Sequence, residues 1–184
     1  MLVMPKLGVK NIIAGWPEEA KEIAEAVIKE YGEPNDANPA MLIWYYNGPW
    51  KRTIVYRDTM KHDFPMAHVN GLEQFINYEV PLEKYSAVAA FDGSVTLYRT
   101  RGEISACCHD EHSNFLALNL AHDIIQDKKT FDQARRCYAE NVVRYYQHKP
   151  APYMEKLQFT PRESTANRDK TVISQQELAK FEEE

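Results

Sequence analysis

A chain of 184 residues, 44% hydrophobic and 27% charged, has room for one domain with a substantial core and needs no metal or disulfide staple to fold. Its formal net charge of -5 argues against nucleic acid as a partner, because general binding there needs a field attractive to phosphate. No run approaches the roughly 18–20 apolar residues of a membrane span, and Pro5, Lys6, Gly8 and Lys10 interrupt the apolar N-terminal stretch, so neither a membrane partner nor a secretory leader is expected.

The first predicted helix covers 17–31. Pro17 suits the first helical position, and Glu18 and Glu19 favour the positive end of the helix dipole. Ala20, Ile23, Ala24, Val27, Ile28 and Tyr31 recur at three- and four-residue spacing and make one apolar stripe, which Gly32 ends. Strands are predicted over 41–46 and 51–57, both rich in aromatic and β-branched residues. Between them Asn47-Gly48 signals a turn, and Pro49, which cannot donate to a ladder, favours a four-residue loop.

A third strand follows over 72–80, and Pro81 opens a short helix over 82–91 that Asp92-Gly93 stops. A second hairpin pairs 94–100 with 103–108 around Arg101-Gly102. A two-residue turn there sets Leu97 opposite Ala106 and Val95 opposite Cys108 on the buried face. Two helices come next, over 111–126 and 130–147. The first presents Leu116, Ala117, Leu120, Ala121, Ile124 and Ile125 to the core, with Glu111 and His122 on one flank and His112, Asn119 and Asp123 on the other. The second opens on Thr130-Phe131-Asp132-Gln133, a capping box, and should bury Phe131, Ala134, Tyr138, Val142 and Tyr145. From Lys149 onward prolines and polar residues break the periodicity. The expected fold is therefore α+β: a mainly antiparallel five-stranded sheet covered by helices on one face, in a single domain over 1–148. An extended C-terminal tail over 149–184 lies along the domain or reaches a second subunit.

Six histidines are the main pointer to chemistry. His62 and His68 flank the loop His62-Asp63-Phe64-Pro65-Met66-Ala67-His68, while His109 and His112 sit at the start of the helix over 111–126 with Glu111 between them. Imidazole with carboxylate is what a divalent metal or a proton-transfer site needs. The candidate metal ligands are His62, His68, His109, His112 and Glu111, with Asp63, Glu73 or Glu103 able to complete the shell; zinc, iron or manganese is the expected ion. His122 and Asp123 are candidates for catalysis beside it. The spacing His62-x5-His68 matches no specific signature. The plainer alternative, which carries the greater weight, makes these cap and surface histidines.

A second candidate is an aromatic and basic sheet face with Trp50, Arg57 and Arg99, suited to a small anionic or aromatic molecule. Only seven glycines and no glycine-rich phosphate loop argue against a nucleotide cofactor. Cys107, Cys108 and Cys137 form no disulfide framework and read as reduced thiols in a cytoplasmic protein. The sequence thus supports a small metal-binding protein, with a metal-dependent enzyme as the sharper form. The alternative is a non-catalytic ligand-binding or assembly protein, a homo-oligomer using the sheet face and the tail.

Overall fold

The computed structural model describes residues 8–182. The elements in chain order are α1 (Val9–Ile13), α2 (Glu18–Tyr31), β1 (Asp36–Asn38), β2 (Met41–Asn47), β3 (Trp50–His62), β4 (His68–Asn77), a 3-10 turn (Leu82–Lys84), α3 (Tyr85–Phe91), β5 (Val95–Tyr98), β6 (Glu103–Cys108), α4 (Glu111–Ile125), α5 (Phe131–Tyr146), α6 (Pro152–Glu155) and α7 (Gln175–Glu182). The fold is α+β, and its antiparallel sheet is open. It has six strands rather than five, in the order β1-β2-β3-β4-β6-β5. The added strand β1 is short, and Asn38 Oδ1 accepts the backbone N–H groups of Ala40 and Met41 to turn the chain into β2.

One sheet face is apolar and carries the helices. Register puts Leu42 beside Val55, Val55 beside Leu72 and Leu72 beside Cys108, and alternation does the rest. Helix α2 covers the β2–β3 side with Ala20, Ile23, Ala24 and Val27. Helix α4 covers the β4–β6 side with Leu116, Leu120, Ala121 and Ile124. Between these two apolar clusters runs a polar seam. Glu111 Oε1 accepts from Tyr31 Oη at 2.7 Å, Trp50 Nε1 at 2.6 Å and Gln74 Nε2 at 2.9 Å, and Asn114 Nδ2 donates to Gln74 Oε1 at 2.9 Å. Gln74 and Asn114 are fully buried, so this network satisfies groups that would otherwise oppose folding.

Several expected details change. The connection between β2 and β3 is the two residues Gly48-Pro49, because Asn47 pairs with Trp50; Pro49 sits in the turn, where no ladder donor is required. Val95 lies opposite Ala106 and Leu97 opposite Ile104, two residues from the expected register. A slip of two leaves every side chain on its face. In α5, Ala134 and Tyr138 are buried as expected, but Phe131 and Tyr145 are exposed at its two ends.

Residues 149–182 do not form one extended tail. Helix α6 and the segment after it strap across α4: Asn119 Nδ2 donates to the Tyr153 and Lys156 carbonyls, and Gln158 N donates to Asn119 Oδ1. Further on, Thr165 Oγ1 donates to the Gly102 carbonyl at 2.5 Å and Asn167 N donates to the Arg99 carbonyl. Helix α7 follows, with exposed Leu178 and Phe181. With the sheet, α3 and α5 on its other sides, the strap leaves α4 buried nearly all round.

Candidate functional site

The site is built by a distortion in the longest hairpin. Strands β3 and β4 pair regularly up to Val55 and Leu72 and again from Met60 and Asn70, so four residues of β3 face the single residue Gly71. Such a bulge bends a hairpin and re-aims its far end. Gly71 gives close packing here: a Cβ would stand 2.9 Å from Ile23 Cδ1 and 3.0 Å from Thr59 Cγ2, so those side-chain ends would have to shift. Beyond the bulge, His62 pairs with His68, and the loop between them folds back over α3 and α5. Phe64 anchors it, with its ring 5.0 Å from that of Tyr138 and 6.2 Å from that of Phe91, under the Arg135 guanidinium.

This folding sets three imidazoles side by side. The His68 ring centroid is 5.1 Å from that of His62 and 5.3 Å from that of His109. Each ring has one nitrogen beside a carbonyl or carboxylate. His68 Nδ1 bonds to the Met66 carbonyl at 2.8 Å, His109 Nε2 lies 3.0 Å from Asp110 Oδ2, and His62 Nε2 lies 3.7 Å from Asp92 Oδ1. The opposite nitrogens of His62 and His109, both Nδ1, are buried and have no hydrogen-bond partner.

The two carboxylates are fixed by backbone. Asp92 is buried and accepts from the Ser94 N–H and hydroxyl. Asp110 is the N-cap of α4 and accepts from Ser113 N at 2.7 Å. Burial pushes the Asp110 carboxyl up, but the His109 side chain and the Ser113 N–H outweigh it and hold it at about 2. The Asp110 hydrogen bond in turn raises His109 above its ordinary value, against the opposing effect of burial.

Beside His68 and His109 lies a cavity of about 180 Å³. Asp110 opens onto it, and Tyr138, Val142, Tyr145, Met154 and the loop residues Pro65 and Met66 supply apolar walls. Burial also pushes the phenol of Tyr138 and the neighbouring thiol of Cys108 well up, so both stay protonated. The three cysteines are free thiols.

The other candidates lie elsewhere. Glu111 is not gathered with the histidines; its Oε1 is held in the seam by Tyr31, Trp50 and Gln74. His112 is exposed, bonded through Nδ1 to the Met154 carbonyl and packed on Tyr145. Asp63 is exposed, Glu73 takes hydroxyls from Tyr56 and Ser105, and Glu103 pairs with Lys51 and Arg52. His122 stacks on Phe159 with ring centroids 4.3 Å apart and bonds to Tyr78 Oη at 2.7 Å. Asp123 is not on a solvated flank: it is buried, with Lys129 and Tyr153 on its carboxylate. Arg57, Arg99 and Trp50 do not form one surface. Arg57 pairs with Asp58, Arg99 with Asp169, and Trp50 lies in the core.

Asp92 and Tyr138 escaped the sequence reading as members of this group. Asp92 reads there as a helix stop and Tyr138 as part of a core stripe, and only the folded-back loop brings both to the imidazoles. Among the described residues no three or more His, Cys, Asp or Glu side chains are arranged to hold a metal ion, and no helix is long and apolar enough to cross a membrane. In comparisons with known proteins, no family model matches this chain and no curated protein or solved structure matches it. The geometry therefore defines the class by itself: an α+β domain with a carboxylate-flanked imidazole cluster at the mouth of a small apolar cavity.

Proposed function

We propose that the protein binds a divalent transition metal at two imidazoles, His68 and one of its neighbours, His62 or His109, and holds a small molecule in the adjoining cavity. The carrying observation is the pair of orphaned, buried Nδ1 atoms on His62 and His109. Leaving such atoms unmade opposes folding, and a metal ion would satisfy them. A carboxylate or carbonyl on the opposite nitrogen is the usual partner of a metal-ligating imidazole, because it fixes ring orientation and raises basicity. The spacing agrees: with metal–nitrogen bonds of about 2.0–2.1 Å, two rings on one tetrahedral ion have centroids about 5 Å apart. Imidazole donors favour zinc or iron over manganese. A bound ion of this kind supplies a Lewis acid and a water of lowered pKa. Asp110 orients the His109 ring, and Tyr138, Tyr145 and Met154 exclude water from the cavity and suit an apolar or planar ligand.

The 3.0 Å contact between His109 and Asp110 at the same cavity favours a second reading, proton transfer without a metal. One titration separates the two. Tag-free protein, stripped with chelator, is titrated with Co²⁺ while its visible absorption is followed, and Zn²⁺ is then added in competition. The metal reading expects about one ion per chain, loss of at least tenfold in affinity in His68→Ala and in either His62→Ala or His109→Ala, and, with His109 as the ligand, a loss of roughly 10–100-fold in Asp110→Asn. Absence of binding, or binding that survives His68→Ala, overturns the metal reading; the first of these leaves the proton-transfer reading standing.

A further inference from the structure

The sheet face away from the helices carries a second cavity, of about 500 Å³, where Tyr56, Met60, Lys61, Asn70, Glu73 and Cys107 meet. Glu73 is the anion at this place. Its Oε2 accepts from Tyr56 Oη and its Oε1 from Ser105 Oγ, both at 2.7 Å, so two neutral hydroxyls orient the carboxylate without cancelling its charge. Among the described residues no Lys, Arg or His nitrogen lies within ion-pair distance of it. The two neighbouring carboxylates differ: Glu103 has Lys51 and Arg52, and Asp58 has Arg57.

Of the other lining groups, Asp58 is a second carboxylate, but Arg57 pairs with it. Burial, with Glu73 and Asp92 beside it, pushes the Cys107 thiol up to about 12, so it remains a neutral SH. Burial followed by the Glu73 hydrogen bond raises the Tyr56 phenol as well, so it remains a donor. Asn70, which also lines the cavity, is 4% exposed, and its Oδ1 has no hydrogen-bond partner. An oriented carboxylate and an unmet amide oxygen together ask for a group that is positively charged and rich in N–H donors. The Tyr56 ring and Met60 offer apolar surface to a short chain attached to it.

We propose that this cavity is a binding site for a small organic ammonium ion, its N–H groups taken by Glu73 and Asn70. His62 lines this cavity as well as belonging to the imidazole cluster, but the groups proposed to bind the ammonium ion, Glu73 and Asn70, are not among the imidazoles and need no metal. The exposed Lys61 at its edge makes no ion pair among the described residues and acts as a competing charge.

The test uses the full chain in excess chelator at pH 7.5, titrated with ethanolamine and with butane-1,4-diamine, and with acetate as the anionic control. Binding is read by NMR from the Asn70 side-chain amide and the backbone amides of 70–73 and 105–107. The expected result is saturable shifts with the two amines, a Kd of about 1 mM or tighter, and none with acetate. Glu73→Gln keeps the shape of the side chain and should weaken binding at least tenfold. Lys61→Met should tighten it severalfold. Unfolding midpoints show that each variant is folded, and Tyr56→Phe serves as a second probe should Glu73→Gln unfold, with weakening of severalfold expected. The proposal is overturned by the lack of a saturable response up to about 10 mM, or by equal binding in Glu73→Gln.

Discussion

The seam at Glu111 allows a prediction of stability whose size follows from the structure. In Glu111→Ala three donors lose their shared acceptor. The Tyr31 hydroxyl is half-buried and can turn to water, but Trp50 is 2% exposed and Gln74 is 0% exposed, so their N–H groups are stranded. Each buried, unpaired donor costs about 1–3 kcal/mol, which gives a loss of about 2–6 kcal/mol. A domain of this size is stable by about 5–15 kcal/mol, so the variant should be near its limit of folding at room temperature. Glu111→Gln tests the cause. Its amide oxygen can take the place of Oε1 for all three donors and only the charge is lost, so the cost should fall to about 1–3 kcal/mol. The assay is urea unfolding at pH 7 followed by tryptophan fluorescence, with wild type and variants compared at a common slope. A cost below about 1 kcal/mol for Glu111→Ala, or equal costs for the two variants, would refute the view that this carboxylate holds the two helices through buried donors.

Two further predictions concern the strap. Burial, together with the charge of Lys128, lowers His122, and Asp123 opposes this. Its folded value therefore lies below the unfolded one of about 6.5, so its contribution to stability is complete above that pH and is lost as pH falls through the unfolded value towards the folded one. NMR titration of the ring should give a midpoint below 6.5 that rises in Lys128→Met; a wild-type midpoint at or above 6.5 contradicts the cause assigned here. Gly102 has φ +63, and a Cβ there would stand 2.2 Å from the Thr165 carbonyl carbon. Gly102→Ala adds the roughly 1–2 kcal/mol of a left-handed alanine to a clash with backbone, so the strap should detach and become sensitive to protease after residue 160. Unchanged proteolysis would show that the strap is held from elsewhere.

What was legible in the sequence was what local periodicity encodes. The stripe from Ala20 to Tyr31 and the Thr130–Gln133 capping box both appear where expected. The second hairpin was expected to bury Val95, Ala106 and Cys108 on one face, and these are buried although the register is shifted by two. The extension of β3 past Arg57 was not legible. Asp58–His62 is mostly polar and gives no strand signal, and β4 pairs with it only from Met60, beyond the bulge. Helix α4 misleads for a related reason. Asn119 and Asp123 look like a solvated flank because the groups that satisfy them, the Tyr153 and Lys156 carbonyls and the Tyr153 hydroxyl, come from the strap about 30 residues later.

The candidate site divides along the same line. His62, His68 and His109 were singled out by residue type, and a bulge invisible in one strand's sequence sets them side by side. The adjacent acids Asp110 and Glu111 show how fine the division is. Asp110 is the cap and still extended, so its carboxylate folds back to Ser113 N and to His109. Glu111 is the first helical residue, and each helical step turns the side chain by about 100°, which carries its carboxylate across to Trp50 on the sheet. His112 is turned one step further, out to solvent and the α6 backbone. Spacing along the chain places all three near His109, but the turn at the helix start leaves only Asp110 in contact with it. Residues that straddle a helix N-cap therefore part according to the side of the cap each occupies, which here leaves Asp110 against His109 and takes Glu111 into the seam.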